Sequence, residues 1–62
     1  MPIVSIYLVE GRTIEQKREL VKEITESIVR IMKTTPDHVS VFFVEGPREN
    51  FSRAGVLLPD QK

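Results

Sequence analysis

Apolar positions fall into three blocks along the chain. Ile3 to Val9 reads IVSIYLV, apolar or aromatic at every position except Ser5 and rich in β-branched residues. A run of this length without alternation predicts a strand buried on both faces, ended by Gly11. From Thr13 to Lys33 the period changes. Leu20, Ile24, Ile28 and Ile31 recur at helical spacing, and Val21 and Met32 widen the stripe. Thr13 and Gln16 stand at the spacing of a capping box, so one helix over 13–33 is predicted. The charged positions Glu15, Lys17, Arg18, Glu19, Lys22, Glu23, Glu26 and Arg30 read as its solvated face, with Glu26 and Arg30 a favourable i,i+4 pair. Thr35-Pro36 ends the helix or begins a tight turn, because proline disfavours helix in the residue before it. Val39 to Val44, VSVFFV, reads as a second strand, closed by Gly46 and Pro47. The tail, 48–62, holds Phe51, Gly55 and the run Val56-Leu57-Leu58. It is too short for a domain of its own and suits a small hairpin or an arm packed on a neighbour.

The order strand, long helix, strand predicts an α+β unit: a parallel pair joined by a right-handed helical crossover. One helix cannot cover both faces of two apolar strands. The open sheet edges and the bare face should therefore pair with other copies in a closed, symmetric assembly. Length points the same way. A chain of 62 residues makes a single domain, 1–62, and one this small buries only ~60% of its unfolded surface. There is no cysteine for a disulfide or a thiolate metal site, and His38 is the only histidine. Oligomerisation is the support that remains. Nine basic and nine acidic residues, mixed along the chain, argue against a nucleic-acid binder. No apolar run reaches membrane-spanning length, and the N-terminus lacks the features of a signal peptide. A cytoplasmic location is expected.

Candidate chemistry begins at Pro2. A small second residue allows the initiator methionine to be trimmed, and trimming would leave a secondary amine at the chain start. An α-amino group titrates nearer neutrality than lysine, and apolar or cationic surroundings lower it further. With Met1 attached, the Pro2 nitrogen is an amide and cannot act as a base. Arg12 lies at the other end of the first strand, beside a helix N-terminus, where its guanidinium suits a carboxylate. A seven-residue strand spans ~20 Å, too far for Pro2 and Arg12 of one chain to meet. In an oligomer, Arg12 of one subunit can approach Pro2 of another. Phe51, in the polar stretch ENFSRAG, is a core plug or an apolar wall that keeps the proline amine neutral. Arg48 and Arg53 flank it as solvated residues or anion ligands. His38, Tyr7, Glu10 and Glu45 read as structural or surface residues. The chain has no serine–histidine–acid set, phosphate loop or metal-ligand spacing.

Pro2, Glu10-Gly11-Arg12, the helix opening T-x-E-Q-K from Thr13 to Lys17, and Phe51 come at particular spacings. Together they resemble the 4-oxalocrotonate tautomerase family over essentially the whole chain, most specifically in LVEGRTIEQKREL. The resemblance implies a β-α-β fold, dimers sharing a four-stranded sheet, and a hexamer built as a trimer of dimers. It implies no cofactor. Pro2 would be the general base moving a proton in 2-hydroxymuconate or a related enol acid. Arg12 from a neighbouring subunit would hold a substrate carboxylate, and Phe51 would line the pocket. The family's second-strand arginine is replaced here by Ser40, which can donate a hydrogen bond but carries no charge. Arg53 is a candidate for the missing cation. Two alternatives stand beside tautomerisation. One is hydration or dehalogenation of unsaturated acids on the same fold. The other is a non-catalytic oligomeric module that binds a small acid or a partner protein.

Overall fold

The computed structural model describes residues Met1–Lys62, and its first element is the apolar strand β1, Ile3–Val9. The helix α1 follows as Ile14–Met32. Thr13 caps it: the Gln16 amide donates to Thr13 Oγ1 at 3.1 Å and the Thr13 amide donates to Gln16 Oε1 at 2.9 Å. Two orphan donors of the first turn are thus satisfied. The helix stops at Lys33, which takes the left-handed conformation with φ of 55° and donates its N–H to Val29 O. A 3₁₀ turn, Pro36–His38, leads into β2, Ser40–Gly46.

β2 lies parallel to β1, from Ile3 opposite Ser40 to Val9 opposite Gly46. The predicted α+β, β-α-β architecture is therefore what forms. The second strand starts later and runs further than the apolar run VSVFFV implies. The Val39 amide is spent on Pro36 O at 3.1 Å, closing the 3₁₀ turn, so it cannot join the ladder. At the other end the ladder continues through polar Glu45, and Gly46 O accepts from the Glu10 amide at 3.0 Å.

The tail forms the anticipated hairpin. β3 (Ser52–Arg53) pairs antiparallel with β4 (Val56–Leu57). Ala54 and Gly55 between them both have positive φ, 54° and 80°, as a two-residue hairpin turn matching strand twist requires. Gln61 Nε2 donates to the carbonyls of Arg53 and Val56, and the Phe51 carbonyl accepts from the Leu58 amide at 2.9 Å. The tail is therefore fastened to itself.

Side chains alternate across the sheet. Val4, Ile6, Leu8, Val41 and Phe43 are half-buried on the side covered by α1. On the opposite face Ile3, Tyr7, Phe42 and Val44 are exposed. The strands are thus covered on one face only within a single chain. The charged helix positions also depart from a uniformly solvated face. Lys17 forms an ion pair with Glu45, and its ammonium lies 5.6 Å from the centre of the Phe43 ring. Glu26 and Arg30 do not pair; Arg18 pairs with Glu15 instead. An exposed pair is worth too little to fix two long side chains against their entropy.

No residue of the 62 is fully buried, and the chain exposes 5100 Å². A self-contained protein of 7.1 kDa would expose about 4100 Å². The radius of gyration is 15.0 Å, against roughly 11 Å for a compact chain of this length. Half-covered strands and an extended shape are what a piece of a larger assembly looks like. No helix is long and apolar enough to cross a membrane.

Candidate active site

Pro2 lies immediately before β1 and is half-buried. Its carbonyl accepts from the Ser40 amide at 3.1 Å, which ties the two strand starts together. Met1 is 86% exposed, so its removal would give up no packing. Ser40 is Pro2's neighbour through the main chain. Its side chain belongs with Ile3, its register partner, on the open face.

Arg12 stands past the other end of β1. Gly11 makes the turn into α1 with φ of +126°, a conformation that side-chain-bearing residues rarely adopt. The next residue, Arg12, is exposed and makes no ion pair. It directly precedes the helix cap, where orphan amides and the helix dipole favour an anion.

Phe51 belongs to the Arg12 end. Its ring packs against Gly46, where an added Cβ would come within 3.1 Å of Phe51 Cε2. Gly46 is the register partner of Val9, and its carbonyl holds the Glu10 amide. The two arginines flanking Phe51 differ. Arg48 Nη2 donates to Leu58 O at 3.0 Å and so braces the tail. The Arg53 side chain is exposed and makes no ion pair.

The candidate residues thus divide between the two ends of the sheet. Pro2 and Ser40 stand at one end; Arg12, Phe51 and Arg53 stand at the other. The strands between them cover ~20 Å or more. A shallow concavity on α1, lined by Gln16, Glu19, Leu20 and Glu23, includes none of these residues.

Other titratable groups fall into structural places. The His38 ring sits with Nδ1 3.3 Å from Thr34 Oγ1 and Nε2 3.8 Å from Asp37 Oδ2. Asp37 is held below the usual carboxylate range, chiefly by the Thr35 hydroxyl, then by its own backbone N–H, with a smaller contribution from His38. Tyr7 is 74% exposed on the open face. No three His, Cys, Asp or Glu side chains gather where they could hold a metal ion. Two features were not visible in the sequence as parts of the site: Gly46 as the platform for Phe51, and Arg48 as the brace beneath the tail. Gly46-Pro47 carried only the signal of a strand end.

The chain is similar to known proteins in sequence and fold. The family model described as tautomerase enzyme matches residues 2–61. A 2-hydroxymuconate tautomerase of Bacillus subtilis is 36% identical, over 100% of each chain. A structure from work on the 4-oxalocrotonate tautomerase isozymes of Methylibium petroleiphilum superposes with a TM-score of 0.87. It is 45% identical and covers 94% of this chain and 91% of its own. A structure from work on trans-3-chloroacrylic acid dehalogenase activity superposes with a TM-score of 0.82. It is 31% identical and covers 94% of this chain and 100% of its own.

Proposed function

This chain belongs to the tautomerase family and is an isomerase, and we propose that it interconverts keto and enol forms of 2-hydroxymuconate or a related enol acid without a cofactor. The observation that carries this reading is the division of the candidate residues between opposite ends of one sheet. A candidate base, once Met1 is removed, and an unpaired guanidinium stand on one chain, which cannot bring them together. Two copies laid antiparallel, edge to edge, would set the Pro2 end of each against the Arg12 end of the other. Residues 1–62 then act as one tautomerase unit whose site is completed by a neighbour. A homohexamer, as a trimer of dimers, would also cover the apolar open face.

The chemistry follows from the groups at the junction. After loss of Met1, Pro2 presents a secondary amine. Phe51 of the neighbour makes the surroundings apolar, which disfavours the charged form and leaves the nitrogen able to accept a proton. Arg12 holds a substrate carboxylate through a forked, charge-assisted contact. The neutral nitrogen takes the enol hydroxyl proton, the O–H electron pair becomes the carbonyl π bond, and the displaced π electrons take the proton back at carbon. The amine ends as it began, so nothing is consumed. Ser40 could donate a hydrogen bond to substrate but supplies no charge. A cation at the developing enolate oxygen can be worth several kcal/mol, so turnover depends on what replaces it.

The 31% identical structure from the dehalogenase work supports a second reading, hydration or dehalogenation of an unsaturated acid. Here a protonated Pro2 would act as the acid while a carboxylate activates water. The two readings separate in one experiment. The Met1-processed protein, Pro2→Ala and Arg12→Ala are assayed on 2-hydroxymuconate, phenylenolpyruvate and 3-chloroacrylate. Ketonisation of the enols should fall by at least about 100-fold in Pro2→Ala, with no chloride released from 3-chloroacrylate. Full activity in Pro2→Ala ends the base assignment. Chloride release without ketonisation favours the dehalogenase, and no activity on any of the three favours a non-catalytic binding module.

A further inference from the structure

The Pro2 end of the sheet holds one more group that changes charge near neutrality. The 3₁₀ turn Pro36–His38 carries Asp37 and His38 to the start of β2. His38 is the only histidine of the chain, and histidine is the side chain whose ordinary titration falls between about pH 5 and 8. The turn is tied to Pro2 through the main chain. Val39 leaves it in extended conformation, φ −103° and ψ 124°, and the Ser40 amide donates to Pro2 O at 3.1 Å. Ile3 stands opposite Ser40. One step back sets Pro2 level with Val39, and a second sets Met1 level with His38. Adjacent strands lie about 4.8 Å apart. His38 therefore starts beside the place that Met1 vacates, within about two strand spacings of the amine that its loss creates.

The imidazole is held at this end. Its Nδ1 lies 3.3 Å from Thr34 Oγ1, and its Nε2 lies 3.8 Å from Asp37 Oδ2. Thr34 is itself fastened, because its amide donates to Val29 O at 3.3 Å. The charged groups of the neighbouring elements are few. Asp37 shares the turn, Arg30 and Lys33 lie at the helix end beside it, and the chain-start amine lies before β1. Asp37 is held below the usual carboxylate range, chiefly by the Thr35 hydroxyl, so it stays ionised near neutrality. Arginine and lysine keep their charge there too. The imidazole and the amine are the two groups left to titrate together.

We infer that His38 is a positioning residue for Pro2: its imidazolium, a like charge beside the amine, makes that amine give up its proton more readily. The inference rests on the assignment of Pro2 as the base made above. A like charge disfavours the protonated amine, whereas the Asp37 carboxylate favours it. Protonation of His38 takes the pair from net negative to neutral, and so removes the pull that would keep a proton on Pro2. The base then stays neutral to lower pH. The coupling is mutual, so the two groups titrate as a pair.

The amine can be titrated directly, without turnover. The chain has four prolines, and in the Met1-processed protein Pro2 alone carries an ionisable nitrogen. Its nitrogen-15 resonance is followed against pH in proline-labelled wild type, His38→Gln, His38→Lys and Asp37→Asn. His38→Lys fixes a positive charge and should move the amine's midpoint down by about half a pH unit. Asp37→Asn should also move it down. His38→Gln removes the imidazolium and should move it up. Each shift should shrink in about 1 M salt. A midpoint unmoved in both His38 variants, or moved the same way in both, overturns the inference. So does a set of shifts that salt leaves intact, because loss of shape rather than of charge would then be the cause. Assay of Pro2→Ala keeps the two ideas apart. Full turnover in that variant sinks the base assignment, while the titration still reports on His38.

Discussion

Gly46 and Gly11 show two different reasons for a glycine, and the difference decides what substitution does. At Gly11 the space is open, but φ of +126° strains any residue bearing a Cβ. At Gly46 the constraint is space. A methyl group there would sit 3.1 Å from Phe51 Cε2 and 3.6 Å from Cζ. The ring cannot yield freely, because the Phe51 carbonyl is held by the Leu58 amide. Gly46→Ala should therefore push the ring off its platform at a cost of about 1–3 kcal/mol, as overpacking does. If Phe51 of a neighbour walls the Pro2 amine as proposed, a displaced ring would leave that amine wetter and easier to protonate. The acidic limb of the rate–pH profile should then move to higher pH, alongside a lower denaturation midpoint. An unmoved limb with a lowered midpoint would deny Phe51 its electrostatic role. None of this was legible from residue types. Phe51 stood out because it is aromatic in a polar stretch, but its platform is a contact between segments, which spacing does not encode. The same holds for Arg48 and Arg53, which residue type alone does not separate and the hydrogen bond from Arg48 to Leu58 O does.

Local rules carried the elements well where the physics is local. The capping box fixed the start of α1, since Thr13 and Gln16 satisfy each other's amides three residues apart. Thr13→Ala should cost about 1 kcal/mol, read as a lower denaturant midpoint at fixed protein concentration. Thr13→Ser should stay close to wild type, and a Thr13→Ala midpoint that does not fall would mean the cap adds nothing. The start of β2 was misread for an equally physical reason. Val39 is apolar and β-branched, which suits a strand, but its amide closes the Pro36–His38 turn and is lost to the ladder. Lys17 belongs to another class. It reads as solvated because its helix neighbours are charged, yet it reaches across to Glu45 and overlies Phe43. That pair joins helix to sheet across 28 positions, beyond any i,i+4 rule.

For the whole molecule, the decisive quantity is what one chain leaves uncovered. A small core of this length supplies at most about 3–5 kcal/mol, and here no residue is fully buried. Covering the rest of Phe42, 56% exposed, would add up to about 1.5 kcal/mol, and Ile3, Tyr7 and Val44 share its open face, so association through that face would be comparable to the stability of the fold itself. The sequence already implied this, because two apolar strands exceed what one helix can cover. It could not say which ends of two chains meet. If Pro2 of one subunit works with Arg12 of another, inactive chains should rescue each other. Pro2→Ala supplies an intact Arg12, and Arg12→Ala supplies an intact Pro2. After unfolding and refolding an equal mixture, a random two-chain site has both groups intact about one time in four under symmetric pairing. Activity should therefore return to about a quarter of the wild-type value, while each variant refolded alone stays inactive. The rescue should also require refolding, since intact oligomers mixed without exchange keep their defective sites. If the refolded mixture is no more active than its parents, Pro2 and Arg12 do not meet across subunits, and Arg12 is no part of the Pro2 site.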